Sequence, residues 1–257
     1  VKEERKMAKI CIDAGHGGSS VGTSGHGLVE KDLNLEVSLE LERLFNKTSG
    51  VDVVMTRRRD VTVSLQARTD LANKEKCDYF ISVHHNGFSN PSACGIEVFR
   101  ESHVDRSKDL GRSVLRNLID GLGMVSRGLK TRLNSSGGEW YHVLRESKMP
   151  GIITESGFLT CPEDAEKIKK GKFNGKSFAE QEAFSIYKGV MDYLGIEESK
   201  KPFEDVPGDH WASEAVKEMK DLGIMIAMPD GKFNGSHNVS RFELAVTLRR
   251  FLREVQK

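Results

Sequence analysis

Residues Ala8–Gly18 read AKICIDAGHGG, an apolar run that gives way to an aspartate, a histidine and glycines. A run of that length with β-branched content, closed by glycine, predicts a strand buried in a sheet and then a tight polar loop. The same pattern recurs outward along the chain at Val51–Thr56, Tyr79–His84, Gly95–Phe99 and Gly151–Glu155. Helical spacing fills the gaps. Leu33, Val37, Leu41 and Leu44 share one helix face, as do Leu110, Val114, Leu118 and Leu122, and Ser64 is placed to cap a helix over Leu65–Lys76. Strands alternating with helices predict an α/β fold, a twisted and mostly parallel sheet flanked by helices.

A last helix of this region is expected from Ser177 to Leu194, with Phe184, Tyr187, Val190, Met191 and Leu194 on its apolar face and Gly195 as its stop. The first domain is therefore read as 8–195. Ile196–Pro202 is polar and proline-terminated, as a linker is, and 203–257 forms a small α-helical C-terminal module with a turn at Pro229–Asp230–Gly231.

The 257 residues carry 39 Lys plus Arg against 38 Asp plus Glu, a formal net charge of +1 that gives no broad attraction to nucleic acid or anionic lipid. No apolar stretch is long enough to span a bilayer, and Val1–Met7 lacks the apolar core of a signal peptide. The expectation is a chain made in the cytoplasm, without a membrane or nucleic-acid partner. Cys11, Cys77, Cys94 and Cys161 are scattered without a CxxC pair, which reads as four reduced packing thiols. The charge runs Arg57–Asp60 and Lys167–Lys172 read as solvated faces, with basic groups available to peptide carboxylates near a groove.

Four polar groups stand where an apolar pattern ends or just after it: His16, Glu30, His84 and Glu155. In open α/β sheets sites gather outside the carboxyl ends of strands, so residues distant in sequence converge there. Two imidazoles and a carboxylate suit a tetrahedral zinc with one open position, and a second, unligated carboxylate suits proton transfer. A histidine at a strand end is also an ordinary hydrogen-bonding residue, and Glu30 an ordinary first-turn helix charge. Residue types alone leave both readings open. The glycines after His16 do not form a phosphate loop, because neither the Lys-Ser/Thr pair nor GxGxxG follows.

The ordered strings DAGHGG, EKDLNL, MTRRRD, SVHHNG, GIEVF, RGLK, VLR and ITESGFLT resemble the zinc N-acetylmuramoyl-L-alanine amidases of the amidase-3 type over Ala8–Gly195. The resemblance implies hydrolysis of the bond between N-acetylmuramic acid and L-alanine in bacterial peptidoglycan. It also implies Zn2+ held by His16, Glu30 and His84, with Glu155 as the catalytic carboxylate. The family pattern Ser-x-His-x-Asn-Ala aligns with Ser82-Val83-His84-His85-Asn86-Gly87 and selects His84 over His85. Strand alternation agrees, since neighbours point to opposite faces. Asn86 and His142 are candidates for lining the substrate groove. A zinc peptidase of the stem peptide is the rival chemistry, but no HExxH occurs, and an intact Glu155 argues against a non-catalytic wall binder.

Residues 203–257 resemble a single S-layer homology repeat, through Phe203-Glu204-Asp205-Val206, His210-Trp211-Ala212, Asp230-Gly231-Lys232-Phe233 and Ser240-Arg241-Phe242-Glu243. That resemblance implies a secondary wall polysaccharide as partner, with Trp211 and Arg241 as candidate contacts. Ala227-Met228 replaces the family's Gly-Tyr, and one repeat is a small core, so packing against the first domain or self-association is expected. A catalytic domain with one wall-binding module fits a phage-type endolysin, with a bacterial autolysin as the alternative.

Overall fold

The computed structural model describes residues 8–48, 50–173, 175–196, 203–207, 210–228 and 231–255. The chain divides into two compact units, 1–196 and 197–257. The charged start, most of the expected linker and the Pro229–Asp230 turn lie outside the described residues.

The first unit runs β1 (Ala8–Ala14), β2 (Ser24–Gly25), β3 (Leu28–Val29), α1 (Glu30–Phe45), β4 (Val51–Met55), α2 (Leu65–Lys74), β5 (Tyr79–Asn86), β6 (Ile96–Arg100), α3 (Asp105–Leu122), β7 (Ser126–Lys130), α4 (His142–Glu146), β8 (Gly151–Phe158), α5 (Pro162–Lys170) and α6 (Phe178–Leu194). Six strands form one sheet in the order β4-β1-β5-β8-β6-β7. The pairs from β4 through β8 are parallel, β6 lies antiparallel to β8, and β7 parallel to β6. The sheet is mixed and mostly parallel, as expected. The edge strand β7 is the addition: its Ser-Arg-Gly-Leu-Lys carries no apolar run from which to predict it.

Side-chain alternation assigns the two faces. Ile10, Ile12, Ile81, Val83, Val98 and Ile152 pack with Val37, Leu41 and Phe45 of α1, Leu110, Val114 and Leu118 of α3, and Ile186 and Val190 of α6. Removing each such side chain from water contributes about 1.5–3 kcal/mol, which is what holds these helices on that face. On the other face Cys11, Phe80, Phe99 and Ile153 meet Ala72 of α2 and Val143 and Leu144 of α4, with Cys77, Met149, Val54 and Tyr141 beside them. Two short helices cannot cover a six-stranded sheet. Beyond Ser82 on β5 and Ile153 on β8, the residues of this face, His84 and Glu155, are consequently left only partly covered.

Helix boundaries follow local chemistry. Ser64 Oγ accepts from Ala67 N at 3.1 Å, ending α2 as anticipated at one side, though the helix stops at Lys74. Ser177 and Glu180 form a reciprocal cap on α6, and Gly195 (φ 63°) closes it in the left-handed conformation.

The second unit contains α7 (Ser213–Asp221) and α8 (Arg241–Val255). Its core is small: Phe203, Val206 and Val216 are buried, with Phe233 stacked on Phe203 at 5.2 Å between ring centroids. Asp205 fixes this contact by accepting from the backbone N–H groups of Phe233 (2.7 Å) and Asn234 (2.6 Å).

Candidate active site

The loop after β1 is built on carbonyl groups that two arginines hold. Arg57 donates to the carbonyls of Ala14 (2.8 Å), Gly15 (2.9 Å) and Lys31 (2.8 Å), and Arg68 to those of Ala14 and His16 (2.7 Å each). Arg57 is buried, so this member of the charge run is structural and not a solvated face. Its donors satisfy carbonyls that a strand leaves unpaired on entering a loop. Arg68 also pairs with buried Asp13 at 2.6 Å, and Ser82 (2.6 Å) and Thr56 (2.7 Å) donate to the same carboxylate. Burial alone would raise the Asp13 pKa; Arg68 and the two hydroxyls outweigh it and hold the group below the usual carboxylate range.

This loop brings His16 (φ 60°) against the start of α1. His16 Nε2 lies 3.3 Å and His84 Nδ1 2.8 Å from the same Glu30 Oε1, with the two rings edge to face at 5.0 Å. Glu30 Oε2 accepts from Thr23 N at 2.7 Å. Burial disfavours the Glu30 anion, but its bonds to both imidazoles outweigh burial and drive its pKa well down. Two glycines make the approach possible. A Cβ on Gly22 (φ +69°) would fall 2.4 Å from Glu30 Oε2, and one on Gly15 2.3 Å from the His84 ring.

One donor atom from each of His16, Glu30 and His84 lies within 4.8 Å of the others. Tetrahedral zinc with ligand bonds near 2.0–2.1 Å separates its donors by roughly 3.4 Å, so this nitrogen and oxygen set fits that ion in type and spacing. His85 behaves differently from its neighbour. It turns to the covered face, where Nδ1 meets Asn34 Oδ1 at 2.9 Å and Nε2 lies 3.1 Å from Glu182 Oε2, both residues of the pair fully buried. Asn34 in turn donates to Gly15 O (3.1 Å) and Glu30 Oε1 (3.3 Å), tying the buried layer to the site.

Register places Glu155 beside His84, and Glu97 directly opposite Glu155. Glu155 Oε2 is buried without a hydrogen bond among the described residues. Burial, followed by the charges of Glu30, Glu97 and Glu182, pushes its pKa well up. Glu97 is fully engaged: Oε1 accepts from Asn86 Nδ2 at 2.8 Å, and Oε2 from Arg127 Nε at 2.9 Å and Lys130 Nζ at 2.5 Å. Asn86, predicted to line a groove, is thus committed to Glu97 and to the N–H of Gly87 (2.8 Å). His142 starts α4 and meets Arg145 at 3.3 Å. Its neighbour Tyr141 is the residue that feels Glu155: burial raises the phenol's pKa and Glu155 adds to the rise, while a bond from Arg132 opposes both.

Glu97, Arg127, Lys130 and the His85–Glu182 pair stand outside the site residues expected from the sequence. The available signal was a lone carboxylate inside the apolar run GIEVF, since a buried charge requires partners. The thiol expectation also needs correction. Cys94 and Cys161 form a disulfide across 67 positions, while Cys11 and Cys77 are free. Folding brings the β5–β6 loop against the start of α5, a proximity that no spacing in the sequence announces.

In the second unit Trp211 is 90% exposed and lines a cavity of about 740 Å³ together with His210, Met219, Phe233 and His237. Arg241, at the start of α8, is exposed but does not line it.

Comparison with known proteins gives the same division. Residues 10–190 match the family described as N-acetylmuramoyl-L-alanine amidase, and residues 202–245 the S-layer homology domain. A sporulation-specific N-acetylmuramoyl-L-alanine amidase of Bacillus subtilis is 35% identical over 189 residues, covering 71% of this chain and 70% of that one. The endolysin of Bacillus phage SPP1 is 32% identical over 174 residues, covering 65% and 61%. Among solved structures, an N-acetylmuramoyl-L-alanine amidase from Clostridium difficile 630 superposes with a TM-score of 0.66 at 34% identity, over 75% of this chain and 100% of that one.

Proposed function

Since the chain belongs to the N-acetylmuramoyl-L-alanine amidase family, we propose that it hydrolyses the amide between N-acetylmuramic acid and L-alanine of peptidoglycan in the cleft of His16, Glu30, His84 and Glu155. His16, Glu30 and His84 would hold zinc, whose chemistry when bound is to acidify a water and polarise the substrate carbonyl. The observation that carries this assignment is the pairing of that three-donor cluster with an adjacent carboxylate oxygen that has no hydrogen bond among the described residues.

Glu30, with its depressed pKa, stays ionised as a donor. Glu155, with its elevated pKa, accepts a proton readily. It takes the proton from the attacking water as the oxygen bonds to the lactyl carbonyl carbon. It then delivers that proton to the alanine nitrogen as the C–N bond breaks, leaving a free carboxylate on the muramic acid and a free amine on the peptide. The Glu155→Gln variant tests the role: it is expected to keep zinc and fold but lose a factor of about 10²–10⁴ in cleavage rate. Near-normal lysis would remove Glu155 from the role.

The C-terminal unit is assigned to a wall polysaccharide, with the Trp211 cavity as its contact. Supporting action at the wall, the Cys94–Cys161 bond is of a kind that persists in oxidising compartments. On α8, Phe242 (86% exposed), Leu244, Val246, Leu248 and Leu252 face outward, and we assign their cover to another copy of the chain. Strictly monomeric light scattering would exclude that assembly.

A further inference from the structure

Glu97 carries two cations on one oxygen, an arrangement that the cleavage chemistry above does not use. Arg127 and Lys130 are three positions apart, and residues three apart on a regular strand face opposite sides. Here the register shifts at Ile96/Glu97 against β7, with Gly128 at φ +90°, so both side chains reach Glu97 Oε2. A bulge beside an active site commonly re-aims a side chain in this way. The cluster of one carboxylate and two cations keeps a net charge of +1. Both basic side chains remain about one-third exposed, Arg127 at 34% and Lys130 at 35%. Arg127 is further fixed by its bond to Cys94 O (3.3 Å) and by packing over the Phe158 ring at 4.7 Å. A pre-positioned guanidinium and ammonium with donors to spare suit a carboxylate.

The row His84, Glu155, Glu97, Gly128 crosses four adjacent strands at matched register. Strands lie about 4.8 Å apart, so β7 is roughly 10 Å from Glu155 across the sheet. An extended peptide advances about 3.3–3.6 Å per residue. A substrate with its scissile amide at Glu155 therefore brings a group two to three residues away to Arg127 and Lys130. The muramoyl side spends its lactyl carboxylate in that amide, so the anion lies on the peptide side.

Resting on the amidase assignment, we infer that Arg127 and Lys130, held by Glu97, are a specificity subsite for a free carboxylate of the stem peptide two to three residues beyond the scissile bond. The peptide accordingly runs toward β7, and the glycan toward the His16 loop.

The test compares two synthetic muramoyl-peptides, identical except that this carboxylate is free in one and a carboxamide in the other. A hydrogen bond to a charged group corresponds to roughly tenfold to a hundredfold in kcat/KM, so the zinc-loaded enzyme is expected to prefer the acid by about that factor, chiefly through KM. Lys130→Met and Arg127→Met should each reduce the preference by raising KM for the acid, while Lys130→Arg retains it. Changing the substrate leaves folding untouched, so the wild-type comparison stands even where a variant is unstable. Equal cleavage of acid and amide by wild type would overturn the subsite and leave the amidase intact. Failure to cleave either would overturn the amidase assignment and the subsite together.

Discussion

His84 and His85 are chain neighbours with opposite fates, and they mark the difference between the two faces of the sheet. On the covered face, His85 is sealed with Glu182 under α6, and its partners serve the fold. On the open face, His84 keeps 20% of its side chain exposed and joins Glu30 and His16 in a cluster with donor atoms to offer. A strand sorts consecutive residues into core and site without any change in residue type. Helix cover decides which becomes which: α1, α3 and α6 are long, and α2 and α4 are short.

If that contrast holds, damage to the two faces should read out differently. Removing one partner of a buried ion pair strands the other, so Glu182→Ala should cost about 3–5 kcal/mol, seen as a lower urea midpoint, with the molecules that remain folded still cleaving. Full stability would show that the pair does not hold the face. Replacing Cys94 and Cys161 together by Ser should cost about 2–4 kcal/mol and loosen the loop whose carbonyl holds Arg127. An unchanged melting temperature would contradict the structural role of the bond. At Gly22, alanine meets Glu30 at positive φ, a strain of about 1–3 kcal/mol. It should weaken zinc retention in equilibrium dialysis more than it lowers the melting temperature. Retention equal to wild type would mean the loop yields freely.

A further effect is acid-dependent. Asp13 has a lowered pKa in the fold, so its contribution to stability is present above its unfolded value of about 3.9 and is lost as pH falls through the folded value. Wild type and Asp13→Asn should therefore differ most near neutrality and converge in strong acid. A constant gap across that range would assign the stabilisation to hydrogen bonding without charge.

Much of the site was legible because its residues interrupt apolar patterns. His16 and Glu155 stand out against ICIDA and GIIT; alternation puts His84 and His85 on opposite faces, and the family pattern Ser-x-His-x-Asn-Ala points to His84. Partnerships were less legible. Arg57 resembles its solvated neighbours in RRRD until the loop carbonyls of Ala14 and Gly15 are seen around it. Strand β7 lies at an edge, where one-sided burial removes the apolar signal, and its bulge is a feature of pairing that sequence spacing does not encode. The Cys94–Cys161 bond depends on where two loops meet. In the C-terminal unit, the expected helices α7 and α8 form, yet the exposure of Trp211 and of α8 could not be read from periodicity.

The most direct test of the central claim is mass spectrometry of the new ends released from purified Gram-positive peptidoglycan, with and without a zinc chelator. Chelator-sensitive release of stem peptides beginning with free L-alanine, from glycan strands left intact, is the predicted result. Cuts within the stem peptide, or release that persists after zinc is removed and verified absent, would contradict it.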